Sequence, residues 1–297
     1  MKLKENKKEI KILKTSFDDI SSKKLFSECF FERAKNTDKI FKTILKDSLV
    51  LKYLIDEKLV AQLFLIESEI SINKNIPIYY LYGASTDKNF RCQGIMHCLL
   101  EKAKEETIKN ERFGIVLKPA NEELFDFYES AGFKNIIYCN IFEHSYKTPK
   151  NNYKEISAKD YIKIREKLLE KANHIILKDI LIDGIAKNYK INSDGNSLAV
   201  CEKYTQNKKA FIAEFLGDSD IIDFVLKKLS SETAIVKTIG INKRYSVFWT
   251  NKKIEPQQVY HGPAFDIATT AEWANSAVIL RALSLEDKLF SIFFAIF

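Results

Sequence analysis

The sequence predicts an α/β chain of the α+β kind, built on a mostly antiparallel sheet with helices packed against it and divided into two parts. Three observations carry this. One strand-like run is followed by two helical stretches and then by three strand-like runs joined through short polar turns. Helical and strand periodicities then alternate as far as residue 146. Finally, a polar segment containing Pro149, residues 147–152, separates two patterned halves of a 297-residue chain, a length comfortable for two domains. The expected domains are residues 1–148 and 149–297.

Glu9 to Lys14 alternates as a strand does, and Asp18 to Phe30 then places Ile20, Leu25, Phe26 and Phe30 at helical spacing, with Ser16 or Asp18 as the cap. Thr37 to Lys46 puts Ile40, Phe41, Ile44 and Leu45 on one helical side. Ser48 to Ile55 is rich in strand formers, and Asp56-Glu57-Lys58 turns the chain. Leu59 to Ser71 and Ile76 to Thr86 read as a hairpin around Asn73-Lys74-Asn75. Gly94 to Asn110 is an amphipathic helix and Phe113 to Leu117 a short strand stopped by Pro119. Glu122 to Ser130 is a further helix closed by Gly132, and Asn135 to Tyr146 is the last strand of the first half. In the second half, helices are expected at Asp160 to Ala172 and Ser219 to Leu229. Strands are expected at Ser197 to Glu202, Ala210 to Leu216, Arg244 to Trp249 and Leu289 to Phe297.

Composition narrows the function classes. With 46% hydrophobic and 29% charged residues the chain can bury a core unaided. The basic N-terminus leads into no apolar run of signal-peptide length, so a cytoplasmic protein without a membrane span is expected. Five scattered cysteines with no Cys-x-x-Cys pair argue against a disulfide framework and a zinc site. The net charge of +7 comes from lysines spread along the chain, not gathered into a stripe, which argues against a nucleic-acid partner. Nothing here separates a monomer from a homo-oligomer.

The chemistry is concentrated where strand gives way to helix. After Tyr79 to Thr86 comes the link Asp87 to Phe90, and a helix then opens through Arg91-Cys92-Gln93-Gly94-Ile95-Met96. A helix start offers N–H groups with no internal acceptor and a positive dipole end, which suits a diphosphate. Gly94 lets a phosphate approach the backbone, and Arg91 adds a cation. Glycine is scarce, nine in 297 residues, about 3% against roughly 7% in average usage, yet four glycines fall between Gly83 and Gly132.

Arg-x-x-Gly-x-(small) after a strand resembles the acetyl-CoA-binding motif of the GCN5-related N-acetyltransferases, with Met96 standing where Gly or Ala is usual. The run Asn121 to Phe133, ending Tyr128-Glu129-Ser130-Ala131-Gly132-Phe133, resembles the second motif of the same family, and a long helix and one strand lie between the two as they should. The resemblance covers about residues 9–146. It implies the acyl-CoA N-acyltransferase fold, a mixed, mostly antiparallel sheet flanked by helices. It also implies a bulge whose backbone at Ala84, Ser85 and Thr86 holds pantetheine, and a splay beside Leu117 for the thioester. Arg91, Cys92, Gln93, Gly94, Ile95 and Met96 would take the pyrophosphate. Asn121 would touch the cofactor and Tyr128 would protonate the departing thiolate, while the plain alternatives are a helix N-cap for Asn121 and a core aromatic on the helix face for Tyr128.

An attacking amine must lose a proton, and Glu67 and Glu69, on one face of their strand, are candidate bases as well as ordinary solvated residues. His97, His144 and Cys92 read as structural. The second half has the length and element order of a degenerate acetyltransferase-like domain without the two motifs, a layout resembling multidomain acetyltransferases related to the enhanced-intracellular-survival proteins. In those the terminal carboxylate reaches the active site, which would make Phe297 the base. The function implied is acetyl transfer from acetyl-CoA to the amine of a small molecule, peptide or antibiotic-like polyamine. The alternatives are a non-catalytic protein that senses CoA or uses the fold as a scaffold, and a transferase with another acyl donor.

Overall fold

The computed structural model describes residues 7–30, 34–72, 74–172, 174–176, 189–203, 205, 208–239 and 243–251. The chain starts with strand β1 (Lys8–Lys14) and helices α1 (Ile20–Phe30) and α2 (Ala34–Lys42). The meander β2 (Leu49–Ile55), β3 (Lys58–Ile72) and β4 (Lys74–Thr86) follows, then α3 (Ile95–Lys109), β5 (Ile115–Leu117), α4 (Glu122–Ser130) and β6 (Lys134–Ser145). The second half adds β7 (Lys154–Glu155), α5 (Ala158–Leu168), β8 (His174–Ile176), β9 (Tyr189–Ser193), β10 (Leu198–Glu202) and β11 (Lys209–Leu216). It closes with α6 (Asp220–Leu229), β12 (Thr233–Ile239) and β13 (Lys243–Trp249). No helix among the described residues is long and apolar enough to cross a membrane.

Local chemistry sets these elements. Asp56 and Glu57 both have positive φ, the two-residue turn that matches the twist of a hairpin, and β2 and β3 pair across it. The Asp19 carboxylate accepts from the Ser22 N–H to open α1, and Ser157 Oγ accepts from the Asp160 N–H to open α5. The second helix lies three to four residues earlier than its apolar pattern suggests. Beyond Lys42 the chain tightens and bends, with Leu45 N–H reaching the Ile40 carbonyl and Asp47 at φ 64°, so Leu45 is buried from a turn rather than from a helix.

The strands form one sheet in the order β1-β2-β3-β4-β5-β13-β6-β12-β11-β10-β9-β7, with β8 paired to β3. Among the described residues only β4 with β5 and β11 with β12 run parallel, so the expected mixed, mostly antiparallel sheet flanked by helices is present. Its first face packs on α1, α2 and α5 through Phe26, Phe41, Phe64, Tyr80, Tyr82 and Tyr161. The second face packs on α3 and α4 through Leu63, Leu81, Leu99, Leu100, Phe125 and Tyr128. Strand alternation puts α6 on the second face as well, since Leu198 and Val200 point to the first-face core while Ala199 and Cys201 point to α6. The sheet continues across residues 147–152, and β13, from the far end of the described chain, lies between β5 and β6.

Candidate active site

The site begins at an irregularity in β4. Gln62 pairs with Ser85 and Phe64 with Tyr82, so two steps of β3 face three of β4, and β4 carries the extra residue. Gly83 takes it at φ 62°, where a Cβ would lie 2.8 Å from Phe26 Cε2. The bulge that the family resemblance implies is therefore present, beginning one residue before Ala84. Beyond it the Thr86 carbonyl accepts from Arg91 Nε (3.1 Å) and from the Cys29 thiol (3.5 Å). Burial pushes the Cys29 thiol up from its ordinary value, against the opposing pull of Arg91. Ser85 is buried, and neither its hydroxyl nor Gln62 Oε1 has a hydrogen-bond partner among the described residues.

The link to α3 is a short 3-10 turn, Lys88–Phe90. The Asp87 carboxylate caps it by accepting from the Asn89 N–H (3.0 Å), and this bond with the Lys58 ammonium holds Asp87 below the usual carboxylate range. Cys92 (φ 58°) and Gly94 (φ 73°) then take left-handed conformations on either side of Gln93, curling the backbone into a concavity at the start of α3. Gly94 is the N-cap of α3. The first bond of the helix runs from Cys98 N–H to the Gly94 carbonyl (3.1 Å), so the N–H groups of Ile95, Met96 and His97 have no acceptor within it. A Cβ on Gly94 would meet nothing within 4 Å. Met96 packs against the second-face core, which leaves its N–H to serve the concavity.

This entrance opens into a cavity of about 370 Å³. β5 pairs with β4 only at Tyr79↔Ile115 and Tyr80↔Val116 and ends at Leu117, while β4 runs on to Thr86, so the two strands part beside Leu117. Ala84, Ser85, Thr86, Arg91, Cys92, Gly94, Ile95, Met96 and Tyr128 all line the cavity. Tyr128 is held edge-on by Phe127 and Phe133, with centroids at 5.2 and 5.7 Å.

Other expected residues lie elsewhere. Gln93 is outside the lining, its amide donating to the Asn89 carbonyl (3.3 Å). Asn121 is also outside it, serving as the N-cap of α4 by accepting from Leu124 N–H (3.0 Å). Glu67 is paired to Arg112 (2.6 Å), and neither it nor Glu69 lines the cavity. His144 joins Asp223 of α6 (2.9 Å). Phe297 lies outside the described residues. The sequence reading missed Cys29, Phe30, Tyr82 and Lys118 as lining, and treated His97 as structural. His97 does line the cavity, with Nε2 3.3 Å from Ser130 Oγ. The alternation of Tyr80 and Tyr82 puts both on one strand face, but such a pair reads equally well as core, and both are buried in it.

Chemically, the concavity offers convergent N–H donors, a helix dipole and a guanidinium, a set that suits a diphosphate. The bulge supplies backbone groups outside the regular ladder, and the parted strands supply a slot with a phenol at its side.

No family model and no curated protein sequence matches the chain. Solved structures do. A probable N-acyltransferase of Enterococcus faecalis superposes with a TM-score of 0.66 at 12% identity, over 86% of this chain and 74% of its own. A GCN5-related N-acetyltransferase of Anabaena variabilis gives 0.68 at 12% identity, over 81% and 72%. Eis1 of Mycobacterium abscessus gives 0.56 at 8% identity, over 86% and 70%. At such identities the likeness is one of fold, and over most of its length the chain has the fold of the GCN5-related N-acetyltransferases.

Proposed function

We propose that the protein is an N-acetyltransferase that moves an acetyl group from acetyl-CoA to a primary amine within a ternary complex. One observation carries the reading: an open, left-handed Gly94 corner with unbonded helix N–H groups leads into the same cavity that Tyr128 borders. The residues fit the cofactor. The N–H groups of Gly94 to His97 and the Arg91 guanidinium would hold its diphosphate, and the bulged backbone from Gly83 to Thr86 would hold its pantetheine amides. Bound there, the cofactor supplies an acetyl thioester, an acyl donor to amines. The chain's own residues would orient it along the parted strands, exclude water through Leu117, Leu124 and Phe127, and donate a proton from the Tyr128 hydroxyl to the departing sulfur. Direct transfer needs no protein nucleophile, so exposed Cys92 and partly buried Cys29 have no covalent part in it.

Isothermal titration of the whole protein with acetyl-CoA tests the first step, and absence of binding at millimolar concentration would sink the reading. Release of CoA thiol in the presence of amines tests the second. Replacing Tyr128 by Phe is expected to leave acetyl-CoA affinity intact and to lower kcat by about 10²-fold, the lower range for a general acid. Unchanged turnover would remove Tyr128 from the chemistry. Cofactor binding without thiol release under any amine would favour the CoA-sensing alternative.

A further inference from the structure

His97 lines the cavity from the first turn of α3, and its ring is held from α4. It stands edge-on to Phe127, with centroids at 5.0 Å, and its Nε2 lies 3.3 Å from Ser130 Oγ. The Ser130 hydroxyl gives its only hydrogen to the Phe127 carbonyl (2.6 Å), so toward the imidazole it can only accept. Nε2 therefore carries the hydrogen, and Nδ1 is left without a partner among the described residues. In a neutral ring such an Nδ1 is a bare acceptor, and in an imidazolium it is a donor.

A helical side chain leans toward the N-terminus of its helix, and Nδ1 is the ring nitrogen nearer the backbone. It is thus set on the side of the Ile95, Met96 and His97 N–H groups that have no acceptor within α3. A phosphate oxygen in that corner accepts hydrogen bonds and has none to give, so Nδ1 can meet it only when protonated. The charged and titratable groups around the ring are Arg91 and Cys92 of the corner and the Tyr128 phenol, all on the cavity. Glu101, one turn on along α3, is already paired to Lys104 (2.6 Å). Glu123 of α4 shares the helix stripe of Phe127 and Ser130 but lies outside the cavity lining. We infer that His97 is a phosphate ligand of the acetyl-CoA site and takes up a proton from solvent as the cofactor binds, Nδ1–H donating to the diphosphate while Nε2–H stays on Ser130. The inference rests on the acetyltransferase reading, which supplies the diphosphate. Histidine is the side chain that changes charge near neutral pH, so cofactor affinity falls as pH rises through that range.

The test is calorimetric titration of the full chain with 3′-dephospho-CoA, whose remaining phosphates stay ionised throughout, so that the ligand does not titrate. Between about pH 5.5 and about pH 7.5 its Kd is expected to rise about tenfold, the worth of one hydrogen bond to a charged group. Titrations near neutral pH in buffers of different ionisation enthalpy should show net proton uptake. His97→Gln should bind with the weak, high-pH affinity at every pH and take up no proton, whereas His97→Arg, permanently charged, should bind tightly throughout. Gln and Arg are both good helix formers, and an unchanged melting temperature shows that each variant is folded. Cys92→Ser should keep the proton uptake, which assigns it to the imidazole and not to the neighbouring thiol. Wild type without proton uptake, a His97→Gln variant that keeps it, a Cys92→Ser variant that loses it, or a His97→Arg variant no tighter than His97→Gln would each overturn the inference. Binding of acetyl-CoA without binding of 3′-dephospho-CoA would also overturn it, by moving the recognised phosphate elsewhere. Absence of acetyl-CoA binding at every pH overturns the acetyltransferase reading with it.

Discussion

Gly83 and Gly94 are both left-handed, and the structure assigns them opposite kinds of importance. At Gly83 a side chain has no room, because its Cβ would press on Phe26 and Phe64 in the first-face core at 2.8 and 3.1 Å. Gly83→Ala combines overpacking with left-handed strain, and should lower unfolding free energy by about 2–4 kcal/mol in urea denaturation. At Gly94 a methyl group meets open space, so Gly94→Ala carries only the strain of roughly 1–2 kcal/mol. What it fills is the front of the concavity, so acetyl-CoA affinity by calorimetry should fall about tenfold or more. Equal losses of affinity in the two variants at matched stability would contradict this division. Scarcity of glycine made both positions conspicuous in the sequence, and the Arg-x-x-Gly spacing identified the role of Gly94. The wall of Phe30, Tyr80, Tyr82 and Lys118 was not legible, because aromatic residues on a strand or helix face read equally well as core, and here they are both.

Most elements of the first half were readable because they are long enough to show their period, and three-residue β5 was marked by a short apolar run ended by Pro119. β7 and β8, at two and three residues, are too short for alternation to register. β9 and β12 were missed for another reason: they bury polar residues, Asn192 and Ser193 in one and Lys237 in the other, which breaks the apolar alternation that marks a strand. The strongest such case holds α5 to β11. Glu214 accepts from the Tyr161 hydroxyl (2.7 Å) and Arg165 Nε (3.0 Å), all buried, while Arg165 also meets Glu166 (3.2 Å), which bonds His174 (2.8 Å). Glu214→Gln leaves the buried guanidinium with only the partly exposed Glu166 as counter-charge and should cost about 3 kcal/mol in denaturant unfolding. An unaltered midpoint would show that the pair is dispensable. Burial alone would raise the Glu166 carboxyl, but the hydrogen bond and charge of His174 and the charge of Arg165 outweigh it and hold the group below its ordinary value. A depressed folded value means that stabilisation is complete above the unfolded value, about 4.3 for Glu, and lost as pH falls through the lower folded one. The stability gap between wild type and Glu166→Gln should therefore narrow as the solution is acidified below about pH 4. A gap that widened on acidification would have the wrong sign for this account.

At the scale of the molecule, the strand that completes the first half is supplied by the second. The alternation of Arg244 to Trp249 marked a strand, but periodicity names no partner, and β13 lies more than 90 residues in sequence from each neighbour it joins. Val247, Phe248 and Trp249 pair with Leu117, Val116 and Ile115 on one side, and Lys243 to Phe248 pair with β6 on the other. The fit is close. Thr250 Oγ1 donates to the Phe113 carbonyl (2.6 Å), and a Cβ on Gly114 would fall 2.2 Å from the Trp249 carbonyl oxygen. Arg244 also reaches Glu122 (3.1 Å) and Asp126 (3.5 Å), fixing the helix that carries Tyr128. A fragment of residues 1–148 would expose the facing edges of β5 and β6 and the apolar surface that Val247 and Phe248 cover. It should aggregate or melt without a cooperative transition, whereas the full chain melts as one unit. In the full chain, Gly114→Ala forces β13 away from β5 and should lower Tm by about 3 °C, roughly what 2 kcal/mol is worth at this size, and reduce acetyl-CoA affinity through the loosened α4. A soluble 1–148 fragment that unfolds cooperatively near the Tm of the full chain and binds acetyl-CoA equally well would show that the first half is complete without its returning strand.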